Sequence, residues 1–180
     1  MKTLIIDNGS KWITQLCELI VDEKVIIGMK DISSVDTESF DLIVLSGSRN
    51  GPSVLTNDLL GEEFDLVKKS QIPIIGVCYG AEVIVYSYGG LLERMDGDHR
   101  GVTTLHLIEG KDVKVYEAHH FRIKKLPEDF IVLGRTEHAI EFFKHVHKPI
   151  YGLQFHPEAF VDSTEGKEIL MGIISDIMKK

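Results

Sequence analysis

The sequence predicts an α/β protein: a doubly wound, mostly parallel sheet with helices on both faces and an antiparallel supplement. Three observations carry this. Apolar runs without polar alternation (Leu4-Ile5-Ile6, Leu42-Ile43-Val44-Leu45, Ile74-Ile75-Gly76-Val77) suit strands buried on both faces of a parallel sheet. Amphipathic helical stretches alternate with them, as parallel connections require. After Gly89-Gly90 the texture changes to strand-like runs separated by turns, which adds antiparallel strands to that sheet.

Taken in order, Leu4 to Ile6 is a first strand closing on Asp7-Asn8-Gly9-Ser10, a turn that also offers a helix cap. Ile13, Leu16, Cys17 and Ile20 recur at helical spacing, which makes Cys17 a core residue. Lys24 to Gly28 and Asp41 to Leu45 are the next strands. The latter runs into Ser46-Gly47-Ser48-Arg49-Asn50-Gly51-Pro52, too rich in turn formers to be regular. Leu59 to Lys69 is helical, and Ile72 to Val77 is the following strand. Beyond the glycine pair, Val102 to Ile108, Val113 to Tyr116, Phe130 to Leu133 and Ala139 to Phe143 read as strands. Ile150 to Phe155 returns to the core type. Thr164 to Lys179 closes the chain as an amphipathic helix with Ile169, Leu170, Ile173, Ile174 and Ile177 inward.

The 180 residues suit one domain, 1–180, with a substantial core. A formal net charge of -8 argues against a general binder of nucleic acid or acidic membrane. Two cysteines form no disulfide framework and fit a reducing cytoplasm. The N-terminal apolar stretch is too short for a signal peptide, and no segment has the roughly 18 apolar residues of a membrane span. No metal-type cysteine pairing is present, and neither a metal nor a cofactor is expected.

The stretch with the most chemistry is Gly76-Val77-Cys78-Tyr79-Gly80. Glycines two residues either side of Cys78 make steric sense if the chain turns sharply there, because side chains at those positions would collide. Such a turn lifts the sulfur to the open end of the sheet and aims backbone N–H groups at it. The positive end of the following helix then favours thiolate. A buried cysteine at an ordinary strand-to-helix corner is the plainer alternative. A second stretch answers it. Phe155-His156-Pro157-Glu158 follows a late strand, and a cysteine nucleophile needs an imidazole to take and return its proton. Glu158, two positions on, is placed to hold the far ring nitrogen. His99, His106, His138, His145 and His147 read as surface or packing residues.

These two motifs, in this order, resemble the class I (triad-type) glutamine amidotransferase family over nearly the whole chain. Asp7-Asn8-Gly9-Ser10 is similar to its opening turn and Ser46-Gly47 to the start of its oxyanion loop. Asp7-Asn8-Gly9, Ala118-His119 and Lys148-Pro149-Ile150-Tyr151-Gly152 resemble most the branch of stand-alone glutaminase subunits serving archaeal-type GMP synthetases. The resemblance implies a flavodoxin-like arrangement and a Cys78-His156-Glu158 triad that frees ammonia from glutamine through a glutamyl thioester. It implies an oxyanion held by N–H groups of Tyr79 and the Gly47 loop. It also implies a partner, an ATP-dependent synthetase, that accepts the ammonia.

Departures from the family pattern cluster around substrate and partner. Glu82 stands where the family has glutamine, and its charge opposes a thiolate. Ser48-Arg49 replaces a glycine-proline continuation of the oxyanion loop, which makes Arg49 a solvated loop charge or a carboxylate ligand. Phe121 removes an acid, leaving His119 and His120 as candidates for a partner-facing role. A γ-glutamyl peptidase or amidase using the same triad, and a non-catalytic regulatory chain, are the competing functions.

Overall fold

The computed structural model describes residues 1–49 and 61–179. Asn50-Gly51-Pro52 and the expected helix start at residues 59–60 lie outside them. The parallel strands are β1 (Lys2–Asp7), β2 (Glu23–Gly28), β3 (Leu42–Leu45), β4 (Ile74–Val77) and β9 (Ile150–Leu153). The antiparallel strands are β5 (Leu91–Leu107), β6 (Asp112–Lys125), β7 (Phe130–Arg135) and β8 (Ile140–His145). The helices are α1 (Ile13–Leu19), α2 (Gly61–Lys69), α3 (Tyr79–Ser87) and α4 (Gly166–Met178).

Among the described residues these strands form one nine-stranded sheet, in the order β2-β1-β3-β4-β9-β8-β6-β5-β7. Pairing is parallel from β2 through β9 and antiparallel from β9 onward. β7 also pairs with β8, closing the antiparallel group on itself.

Alternate residues of β1, β3, β4 and β9 feed two cores, because strand side chains point to opposite faces. Leu4, Ile6, Ile43, Leu45 and Ile74 pack with Leu66 and Val67 of α2 and Val83 to Val85 of α3. Ile5, Val44, Ile75 and Val77 pack on the other face with Leu16 of α1 and Leu170, Ile173 and Ile174 of α4. This two-sided burial is why those strands read as unbroken apolar runs. Cys17 is half-buried at the edge of the second core rather than inside it.

The hairpin β5–β6 is much longer than its apolar segments suggest. The expected strands at 102–108 and 113–116 extend to Leu91–Leu107 and Asp112–Lys125, with a bulge between Arg94 and His99. Its outer part is held by backbone pairing and by charges across the strands. Glu93 accepts hydrogen bonds from Arg122 Nε at 2.8 Å and Lys124 Nζ at 2.6 Å. This extension makes Ala118-His119-His120-Phe121 part of a strand.

Candidate active site

The site lies beyond the carboxyl ends of β1, β3, β4 and β9, where ligands of open α/β sheets bind. A cavity of about 280 Å³ opens there, lined among others by Ser48, Arg49, Cys78, Tyr79, Glu82 and His156. Arg100 of β5 and His119 and Phe121 of β6 form its far wall.

Cys78 sits between β4 and α3 with φ 50° and ψ -105°, at a positive φ that non-glycine residues avoid. Its amide donates to Leu153 O at 2.7 Å, tying the turn to β9. Both flanking glycines are needed. A Cβ on Gly76 would stand 2.5 Å from Gly80 O, and one on Gly80 would collide with Leu45 O. The collision inferred from the sequence is therefore real at Gly76, while Gly80 also lets α3 approach β3.

His156 follows β9, its amide donating to Tyr116 O at 2.8 Å. Its Nδ1 and Glu158 Oε1 are 2.8 Å apart, both side chains buried, which leaves Nε2 for proton transfer. Gly47 faces both side chains: a Cβ built there would lie 3.0 Å from His156 Cε1 and 3.6 Å from Cys78 Cβ. The loop carrying Gly47 is pinned to the first turn. Ser46 Oγ accepts from the Asn8 amide and donates to Gly47 O, each at 2.9 Å, and the Arg49 amide donates to Gly9 O at 2.9 Å.

The electrostatics differ from expectation. The Tyr79 N–H at the helix end does aid the thiolate, yet the Cys78 thiol is pushed well above its ordinary range. Burial is the largest cause, followed by the charges of Glu82, Glu158 and Glu141. Glu82 lines the cavity and accepts from Gln154 Nε2 at 3.1 Å. Burial raises its carboxyl to about 7, against the opposing effects of Gln154 and His119.

His119, one of the two candidates for a partner-facing role, is turned inward beside two carboxylates. It is 3% exposed, with Nε2 3.1 Å from Glu141 Oε1 and 3.7 Å from Glu117 Oε2. The reason is register: Val113, Val115, Glu117 and His119 are all buried at every second position of β6. Burial works against its charge, but the two carboxylates win and lift His119 to about 10. His120 is on the exposed side of the strand, still at the cavity rim. Among the other histidines, His145 is buried and its Nδ1 accepts from the amides of His147 and Lys148, a turn-closing role. His106 pairs on the surface with Asp112.

Sequence reading missed Trp12, whose ring centroid is 4.3 Å from that of His156 and which packs on Tyr116. Its position two residues after the first-strand turn was the available signal. It also missed Gln154, Glu117 and Glu141. The period-2 register from Val113 would have placed Glu117 inward; nothing local marks Glu141.

The fold and the cavity together describe an α/β protein with a cysteine at a strained strand-to-helix turn and a histidine-carboxylate pair beside it. The profile described as "Glutamine amidotransferase class-I" matches residues 4–175, and the chain belongs to that family. The chain is similar to a glutamine-hydrolyzing GMP synthase subunit of Thermoplasma volcanium, 31% identical with 97% of this chain and 91% of that protein covered. The Methanosarcina barkeri protein of the same name is 32% identical over 100% of this chain and 98% of its own. A crystal structure from Thermoplasma acidophilum, provisionally assigned to the same GMP synthase subunit, superposes with a TM-score of 0.86 at 26% identity. That match covers 99% of this chain and 94% of the other. Among the described residues no helix is long and apolar enough to cross a membrane.

Proposed function

We propose that the chain is the glutaminase subunit of a two-part amidotransferase, hydrolysing glutamine and passing ammonia to an ATP-dependent synthetase, GMP synthetase in the first instance. The observation that carries this reading is the strained Cys78 turn sharing one cavity with the His156–Glu158 pair. His156 takes the thiol proton as Sγ attacks the side-chain amide carbon. The same proton goes to the amide nitrogen as the carbon–nitrogen bond breaks, releasing ammonia and leaving a glutamyl thioester. Water, deprotonated by His156, then opens the thioester to glutamate and the thiol. The oxyanion is held by backbone N–H groups of Tyr79 and the Gly47 loop, and Glu158 keeps His156 in the productive tautomer. Glu82 and Arg49 contact the amino-acid end of the substrate. This chemistry suits a cytoplasmic setting in which Cys78 stays reduced.

Glutamine labelled with ¹⁵N at the side chain, given to the chain with and without synthetase subunits encoded nearby, tests the reading. Cys78-dependent release of labelled ammonia is expected, and its absence in every pairing overturns it. A second reading, cleavage of other γ-glutamyl amides, is supported by the carboxylate of Glu82 on the cavity wall. Faster turnover of γ-glutamyl amides than of free glutamine would favour it.

A further inference from the structure

Behind the cavity wall, Glu117 and His119 of β6 meet Glu141 of β8, three metal-ligating side chains drawn from two strands. All three are buried, and one ligand atom from each lies within 4.8 Å of the others. His119 Nε2 stands 3.1 Å from Glu141 Oε1 and 3.7 Å from Glu117 Oε2. Ligands held about 2.0–2.1 Å from a tetrahedral zinc ion stand roughly 3.3 Å from one another, so these two spacings bracket that of a coordination sphere.

A second, independent observation points to a ligand. Glu141 is 0% exposed, and its Oε2 has no hydrogen-bond partner. A buried carboxylate oxygen without a donor is costly, which is why such groups are paired or coordinate a metal. Within the cluster a single imidazole, His119, faces two carboxylates. Among the described residues, the buried charged side chains include Glu82, Glu117, Glu141 and Glu158, and no Lys or Arg.

We propose that Glu117, His119 and Glu141 bind a divalent transition-metal ion, with zinc the best match to one imidazole and two carboxylates. The ion enters from the catalytic cavity, whose wall includes His119. None of its ligands belongs to the triad, so the site stands whether or not the glutaminase reading holds.

Calorimetric titration of the metal-stripped full chain with Zn²⁺ tests this. One ion per chain is expected. Affinity should be unchanged in Cys78→Ala and fall at least about 100-fold in Glu117→Gln and in Glu141→Gln. No binding overturns the proposal, as does binding that survives both glutamate substitutions or is lost in Cys78→Ala. Should either glutamine variant fail to fold, Co²⁺ added to the unsubstituted chain gives an equivalent answer. Visible ligand-field bands without a sulfur charge-transfer band place the ion on nitrogen and oxygen. A sulfur band, or no band, overturns the proposal.

Discussion

Cys78 carries two opposing influences. The turn and the Tyr79 N–H favour ionisation, but burial and the carboxylates of Glu82, Glu158 and Glu141 hold the thiol protonated. The fraction of thiolate therefore grows only as pH rises past the ordinary thiol range. Alkylation of Cys78 by iodoacetamide should keep accelerating above about pH 9. In Glu82→Gln the midpoint of that profile should move to lower pH, though not to the free-cysteine value, because burial remains. An unchanged midpoint would mean that Glu82 does not face the sulfur.

Glu82 also leaves a signature in stability. Its folded carboxyl titrates at about 7 against an ordinary 4.5, so between those values the folded state binds more protons than the unfolded one. Stability from this group is present at low pH and is lost as pH rises from about 4.5 to about 7. The loss is on the order of 3 kcal/mol as an upper figure. Glu82→Gln should thus raise the melting temperature by several degrees at pH 8 and hardly at pH 5, measured by calorimetry at both. For His156, replacing its partner by Glu158→Gln should lower kcat by about 10²- to 10⁴-fold with little change in KM, read from steady-state ammonia release.

At the scale of elements, two close approaches position the site. The β4–α3 turn depends on Gly76, where a Cβ would meet the Gly80 carbonyl at 2.5 Å. The β8–β9 pair depends on Gly152, where a Cβ would fall inside the buried Phe143 ring. Overpacking of this kind typically costs about 1–3 kcal/mol. Gly152→Ala should lower the melting temperature by about 2–4 °C for each of those kcal/mol. Activity should fall as well, since His156 follows the same strand. A melting temperature equal to the parent's would show that Phe143 turns aside freely.

Legibility from sequence followed the same physics. The Cys78 turn was readable because its steric demand is local, and the His156–Glu158 pair because its members stand two positions apart. The hairpin was only half readable. From Glu93 to Arg100 it carries charge after charge without apolar alternation, and its pairing rests on backbone bonds and on Glu93 reaching across to Arg122 and Lys124. The contact of His119 with Glu141 was not readable, because the two stand 22 positions apart on different strands. No local pattern could have joined them.

For the whole molecule, the parallel half of the sheet supplies the loops that hold Gly47, Cys78 and His156, while the antiparallel half supplies the opposite wall. Strands buried on both faces announce themselves as apolar runs, which made this half legible from composition alone. A thiol held protonated in a buried site also bears on assembly. In the reading proposed above, the isolated chain turns over glutamine slowly, and adding the synthetase with its nucleotide substrates raises the rate at least about tenfold, or 1.4 kcal/mol off the barrier. Coupled ammonia assays on the two proteins, separate and combined, check this.

The central claim is that Cys78 is the attacking group. Intact-protein and peptide mass spectrometry after incubation with a thiol-directed glutamine analogue tests it most directly. The prediction is one adduct per chain, on Cys78 and not on the half-buried Cys17, with labelling strongly slowed in His156→Ala. An unmodified Cys78, or modification of Cys17 in its place, would contradict the account.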